Sequence, residues 1–202
     1  TLLIGGTEPP THPDFHRTLE LAEECGFEDI QLMTSGLQLV EKGRRWFRIG
    51  VRSVCTPLYA LEPEVHDSVV GVSGHWQRAV RGLDAAASLG MDVFIHTLAL
   101  NRTLPQLPEF ADWVYERWGR PLALAPLRPK PGVFEFETAV PSLLTIKGQQ
   151  HANLSLVGFP ACLGTSGESA LLTRLYFRSQ SRTFGASCSG CGLRPSCNGI
   201  VH

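Results

Sequence analysis

The 202 residues are 43% hydrophobic and 18% charged, which is enough apolar material for one sizeable core and excludes disorder or a collagen-like chain. Lys plus Arg total 18 and Asp plus Glu 19, and the resulting formal charge of -1 gives no bulk electrostatic reason to bind nucleic acid or an anionic membrane. No apolar run approaches the roughly 20 residues of a membrane span, and Thr1-Leu2-Leu3-Ile4 meets Gly5-Gly6 with no secretory pattern.

In chain order, residues 1–4 read as a buried strand stopped by the two glycines. Residues 14–25 carry Phe15, Leu19 and Ala22 at helical spacing, with Gly26 as the stop. Residues 30–33 are a second strand ending at Thr34-Ser35-Gly36. Residues 37–47 are a helix with a basic face at Lys42, Arg44 and Arg45, and residues 51–59 are a third strand. Residues 60–73 read as a long loop of the kind that carries function at strand ends. Trp76, Val80, Leu83 and Ala87 mark the clearest helix, ended by Gly90. Residues 92–100 are a fourth strand, 108–118 a helix and 122–127 a fifth strand. This alternation predicts parallel strands joined by right-handed helical crossovers. Pro129-Lys130-Pro131-Gly132 is a breaker cluster and sets the expected boundary between domains at 1–129 and 130–202. Beyond it, a short helix at 140–146 and a strand at 154–157 precede a Cys-rich tail.

Six cysteines are distributed unevenly. Cys25 and Cys55 sit alone in apolar surroundings, whereas Cys188, Cys191 and Cys197 crowd into ten residues. A core-rich chain of this length does not need disulfide staples, so a reduced compartment and a thiolate metal site are expected, with cytoplasmic location as the corollary. Cys188-x2-Cys191 puts two thiolates on one tight turn. Cys197 follows in the same glycine-rich loop, and Cys162 is the expected fourth ligand. An iron-sulfur cluster and a structural zinc ion (with the same four thiolates, or His202 in place of Cys162) both satisfy this set, and the spacing alone favours zinc. Other candidates lie at strand ends. Glu8 follows Gly5-Gly6, where a ligand can approach the backbone, and its carboxylate can meet a cationic group. His66 with Asp67 offers an acid-base or substrate-positioning pair, with helix capping as the plainer alternative. His96 is a substrate-side or a satisfied interior histidine, and Arg128 a carboxylate anchor or a solvated boundary residue. Gly74-His75-Trp76-Gln77 is not a propeller repeat, since nothing recurs at its period. Trp113, Tyr115 and Trp118 beside Arg117 and Arg120 are expected to pack a crossover helix rather than stack on bases.

The order of Gly6-Thr7-Glu8-Pro9, Thr34-Ser35-Gly36, Pro57-Leu58-Tyr59-Ala60, Pro63-Glu64-Val65-His66-Asp67, Gly71-Val72-Ser73-Gly74, Asn101, Pro126-Leu127-Arg128-Pro129 and Gly158-Phe159-Pro160-Ala161-Cys162-Leu163 resembles the radical S-adenosylmethionine (SAM) superfamily along most of the chain. The tail from Cys188 to Gly199 is similar to that superfamily's C-terminal auxiliary-cluster segments. The resemblance implies an α/β fold: a partial (βα) barrel of parallel strands that lacks the first strand-helix unit, with a small Cys-rich C-terminal extension. It implies SAM bound near Gly6, Thr7, Glu8, Ser35 and Arg128, with Glu8 on the SAM amino group. It also implies an auxiliary [4Fe-4S] cluster on Cys162, Cys188, Cys191 and Cys197, and shifts the choice there from zinc to iron-sulfur. A 5′-deoxyadenosyl radical would then modify a substrate, expected to be a peptide or protein.

The sequence departs from the family pattern at Thr7, Pro10 and Ser35, and contains no C-x3-C-x2-C segment for the catalytic cluster. Since the first residue is not Met, the chain reads as a partial or processed piece with that segment upstream. The alternative is a degenerate, non-catalytic relative acting as a binding or assembly subunit. In either case the strand at residues 1–4 is an open edge awaiting missing chain, a partner or a second copy. No nucleic-acid or membrane partner is expected.

Overall fold

The structure, a computed structural model, describes residues 1–127, 139–164, 182–197 and 199–201. Strands β1 (Leu2–Ile4), β2 (Ile30–Met33), β3 (Val51–Pro57), β4 (Asp92–Leu98), β5 (Leu122–Ala125) and β6 (Leu154–Leu156) follow one another in sheet order as they do in the chain. Every described pairing among them is parallel. Helices α1 (Phe15–Glu24), α2 (Leu39–Ile49), α3 (Pro63–Val70), α4 (His75–Ser88), α5 (Leu107–Trp118) and α6 (Leu143–Lys147) alternate with them, and a two-residue antiparallel pair, β7 (Arg182–Thr183) with β8 (Ile200–Val201), closes the chain. The parallel strands are those the alternation predicts, and the architecture is the partial (βα) barrel that the resemblance implies. None of the described helices is long and apolar enough to cross a membrane.

Two compact units are present, Thr1–His96 with Val114–Arg120, and Thr97–Trp113 with Pro121–His202. The breaker cluster at 129–132, where the boundary was expected, lies outside the described residues.

In the first unit, the helix-facing side of the sheet (Ile30, Leu32, Val54, Val93 and Ile95) is almost wholly buried. α1 meets the core through Phe15, Leu19 and Ala22, as its spacing predicted. Trp46 of α2 is fully buried edge-on against Phe15, at 5.4 Å between ring centres, and its indole N–H donates to His16 Nε2 at 3.3 Å. α4 packs at Gly82 against the turn that leads into α2: a Cβ built on Gly82 would lie 2.0 Å from the Gly36 carbonyl oxygen and 3.3 Å from Leu39 Cβ, so no side chain fits there. At the far end of α5, Arg117 grips both oxygens of Asp84 at 2.8 and 2.6 Å, and the Trp118 indole N–H donates to the same carboxylate at 3.3 Å. Arg120 pairs with Asp92 at 2.8 Å. In the second unit, all residues of β5 and β6 are buried. The Ser142 hydroxyl caps α6 by accepting from the Thr145 N–H at 3.1 Å.

The structure corrects one element. Residues 60–73 were expected to be a loop, but they contain α3. Pro63 starts this helix and Gly71 ends it in the left-handed region at φ +78°. With eight residues and His66 as its one buried side chain, α3 has no apolar stripe for periodicity to detect; its Pro and Gly boundary signals were the legible part. Strands β3, β4 and β5 each end two residues before the expected limit. The apolar run continues into the loop as buried residues such as Leu58 and Leu100, after the ladder has ended.

Replacing Gly82 with Ala is expected to cost about 1–3 kcal/mol by forcing α2 and α4 apart. Urea unfolding is the check. A midpoint equal to that of the parent chain would show that the helices separate at no cost.

Candidate functional site

Parallel pairing puts the C-terminal ends of β1, β2 and β3 along one edge, with Ile4 opposite Leu32 and Met33 opposite Cys55. The segment after β1 leads through Gly5 and Gly6, the latter at φ +146° with open space where a Cβ would stand. It then reaches Glu8, which is half-buried. The Glu8 carboxylate is held from both sides by the end of β2. The Thr34 hydroxyl donates to Oε1 at 2.5 Å, and the Ser35 backbone N–H donates to Oε2 at 2.6 Å. Thr34 is itself buried and accepts from the Gly36 N–H at 3.3 Å. An ionised carboxylate has about four acceptor positions, so two remain for a cation. Gly6 and Thr7 are exposed beside it and Ser35 is half-buried across from it. Arg128 lies outside the described residues.

The side chains of His66 and Asp67 make separate hydrogen bonds. The Asp67 carboxylate turns to the start of α4, where Oδ1 accepts from the Trp76 N–H at 2.9 Å and Oδ2 from the Gly74 N–H at 2.6 Å. The Trp76 bond above all, with the Gly74 bond, holds its pKa below the ordinary aspartate value. This is the capping alternative expected beside the acid-base one. His66 is fully buried between two rings, stacked on Tyr59 at 5.6 Å and on His75 at 5.1 Å between centres. Its Nδ1 accepts from the Tyr59 N–H at 3.1 Å, and its Nε2 lies 2.9 Å from His75 Nδ1. Burial, reinforced by His75, pushes its pKa down to about 4. His96 is also buried, and its Nδ1 sits 3.5 Å from Cys55 Sγ. Desolvation lowers the imidazole to about 4 and raises the thiol to about 12, so both are neutral and the contact is not a thiolate-imidazolium pair.

Two residues here were missed from the sequence. Thr34 had been quoted only as part of a motif, and no signal in the chain linked it to Glu8, 26 residues away. His75 was passed over within Gly74-His75-Trp76-Gln77; its proximity to His66 depends on α3 being a helix. The register also lines up Gln31 with Ser53 on one face of the sheet, and both Gln31 Oε1 and Ser53 Oγ are buried without a hydrogen-bond partner among the described residues.

In the second unit, Cys162, Cys188, Cys191 and Cys197 all line one cavity of ≈ 200 Å³, walled by apolar groups including Phe184 and Leu193. Cys197 is buried, Cys188 and Cys191 are half-buried, and Cys162 is exposed. The Cys197 sulfur accepts from the backbone N–H groups of Ala161 and Gly199, both at 3.3 Å. Backbone N–H bonds of this kind tune the sulfur ligands of iron-sulfur clusters. Among the described residues, no three His, Cys, Asp or Glu side chains gather closely enough to hold a single metal ion. His202 lies outside the described residues.

Comparison with known proteins agrees with this geometry. The family model described as the radical SAM superfamily matches residues 1–114. The GTP 3′,8-cyclase of Shewanella denitrificans is 27% identical over 114 residues, covering 55% of this chain and 34% of that protein. The probable GTP 3′,8-cyclase of Methanococcus maripaludis is 27% identical over 111 residues, covering 54% and 37%. The chain thus spans about a third of the length of these relatives. A crystal structure of a domain of pyruvate-formate lyase-activating enzyme from Bacteroides vulgatus shares the fold, with a TM-score of 0.53 at 13% identity, over 73% of this chain and 88% of that one.

Replacing Asp67 with Asn is expected to lower the melting temperature at neutral pH by weakening the cap on α4. The folded-state pKa of Asp67 is depressed, so its stabilisation is present above the ordinary aspartate range and is lost as pH falls through and below it. Thermal melts of the two proteins should therefore differ at pH 7 and converge in acid; equal melting temperatures at pH 7 would remove the cap from this account.

Proposed function

The chain belongs to the radical SAM superfamily, and on that premise we propose that it binds SAM at the β1–β2 mouth and serves the radical modification of a substrate. The observation that carries this is Glu8, an anionic group held in place by Thr34 and Ser35 beside open glycine backbone. The residues present fit the cofactor. Glu8 takes its ammonium group, the main chain at Gly6 and Thr7 lies alongside, and Ser35 borders the other side. Arg128, outside the described residues, is proposed from the sequence resemblance as a carboxylate anchor. The cofactor, when bound and reduced, supplies a 5′-deoxyadenosyl radical that abstracts hydrogen. The protein's own part is to hold and orient its amino-acid end by charge-assisted hydrogen bonds. The cluster that delivers the electron requires a C-x3-C-x2-C segment, which does not occur in these 202 residues and which this proposal places upstream of Thr1.

Cys162, Cys188, Cys191 and Cys197 are proposed to hold an auxiliary [4Fe-4S] cluster, supported by their shared cavity and the two N–H bonds to Cys197, with zinc as the alternative. Such thiolates call for a reducing compartment, and the cytoplasm is the proposed location. A peptide or protein is proposed as substrate because the tail resembles auxiliary-cluster segments. The GTP 3′,8-cyclases among the relatives would instead point to a nucleotide, at 27% identity over about a third of their length. His66, Asp67 and His96 are the proposed substrate-side residues, with capping by Asp67 and an interior role for His96 as the plainer alternatives. β1, which stands at the end of the strand order, is the proposed place for further chain, a partner or a second copy.

The test is made on the natural full-length protein, whose intact mass and N-terminal peptides show whether a C-x3-C-x2-C segment precedes Thr1. Under reducing, anaerobic conditions it is expected to release 5′-deoxyadenosine and methionine from SAM, and Glu8→Gln to lower SAM affinity about tenfold or more. Alanine at the four C-terminal cysteines is expected to remove about four irons per chain; loss of one zinc ion would establish the alternative. A natural chain without the segment that cleaves no SAM would establish the non-catalytic binding or assembly subunit instead.

A further inference from the structure

We infer that His75 is a ligand-binding residue whose Nε2–H donates to a carboxylate oxygen of an α-amino-acid headgroup seated beside Glu8, and that His66 is the positioning residue that keeps the proton on that nitrogen. The inference rests on the proposed binding of SAM at this mouth and deepens it.

The proton positions follow from one fixed donor. The Tyr59 backbone N–H can only donate, so His66 Nδ1, 3.1 Å away, must accept. A neutral His66 therefore carries its proton on Nε2. That nitrogen faces His75 Nδ1 at 2.9 Å, and His75 Nδ1 must accept in turn. The remaining proton of a neutral His75 then sits on Nε2. Protonating His75 would set two N–H groups against each other across 2.9 Å, and His66 cannot relieve the clash by changing tautomer while Tyr59 holds its Nδ1. Burial first, and then the charge of Arg78, also disfavour the cation, as does the position of His75 at the first residue of α4, where the helix dipole is positive. Asp67 and Glu8 oppose this without reversing it. His75 is therefore a neutral donor with no lone pair at its outer nitrogen, which excludes it as a general base.

That outer nitrogen is unused. His75 is 7% exposed, yet among the described residues its Nε2 has no hydrogen-bond partner, and Nε2 is not among the polar atoms sealed from solvent. A buried imidazole that spends one nitrogen on a fixed tautomer and leaves the other open is built to meet something. What it meets is set by Glu8: Ser35, which donates to Glu8, precedes Gly36, and a Cβ built on Gly36 would lie 3.4 Å from the carbonyl oxygen of Ala79, one turn after His75 on α4. A carboxylate beside Glu8 is favoured only when it travels with a cation. An α-amino acid offers both groups on one carbon, the ammonium for Glu8 and the carboxylate for His75.

The test uses the natural full-length protein under anaerobic conditions, with two probes. S-adenosylhomocysteine keeps the amino-acid headgroup, and 5′-deoxyadenosine lacks it. His75→Phe is expected to weaken S-adenosylhomocysteine by about tenfold and to leave 5′-deoxyadenosine unchanged. His75→Gln, which puts an amide N–H near the place of Nε2, is expected to restore affinity to within about threefold. If His75→Phe does not fold, His75→Asn replaces it, since its amide stops short of that place, and the same loss is expected. Long-range ¹H–¹⁵N spectra of the unliganded protein should show both imidazoles as Nε2–H tautomers at pH 7, a readout that a merely structural pair need not give. An Nδ1–H tautomer at either histidine, or equal binding of the first probe by His75→Phe and the parent, would overturn the inference while leaving SAM binding intact. A parent protein that binds neither SAM nor S-adenosylhomocysteine would overturn both, and is recognised by the parent's own failure.

Discussion

A strand cannot reach a parallel neighbour through a tight turn; it needs a crossover, and a run of such crossovers places every strand's C-terminal end on the same edge. From β1 to β4 the pairings are parallel and in chain order, so the segments after β1, β2 and β3 emerge side by side. Glu8 meets Thr34 and Ser35 for this reason alone: the two segments are 26 and 27 residues apart in the chain and neighbours in the sheet. The same constraint demands helices that pack closely, and Gly82 of α4 does so by meeting the Gly36 backbone in the turn before α2.

At this mouth the polar groups are held in fixed orientations by their neighbours. Thr34 and Ser35 hold a carboxylate in one place, Asp67 ties the start of α4, and the Tyr59 N–H sets the tautomer of His66 and through it that of His75. The backbone N–H groups of Ser35, Tyr59, Gly74 and Trp76 are the fixed donors here, which a side chain cannot reorient. Burial then does to the histidines what it does to Cys55 and His96 in the same unit: it suppresses charge. Glu8 presents a carboxylate at the strand ends, and the proposed selectivity for a zwitterionic headgroup follows from setting it beside a neutral donor.

The cysteine-rich tail uses a different device. Here sequence proximity supplies most of the site, because Cys188, Cys191 and Cys197 belong to one short loop and only Cys162 must be brought from elsewhere. The two backbone N–H groups on the Cys197 sulfur come from Ala161, next to Cys162, and from Gly199, so one of these bonds also ties the Cys162 segment to the loop.

Local patterning determined the order and type of most elements. The Gly stops, the helical spacing of Phe15, Leu19 and Ala22, and the apolar runs from Ile30 and Val51 are properties of short windows, and short windows carry enough information to choose helix or strand. The spacing of the last three cysteines was legible for the same reason. α3 was not, because eight residues with a single buried side chain leave no period to read. Nor could the chain alone pair Glu8 with Thr34, or His66 with His75. Those contacts depend on parallel register and on the turn that carries α3 into α4, and they join residues whose types say nothing about each other. Composition and spacing therefore determined the class of fold and the cysteine set. Which carboxylate is held, which histidine keeps an open nitrogen, and which one merely supports it were decided by tertiary structure, since a hydrogen bond's direction is fixed only when both partners have been placed.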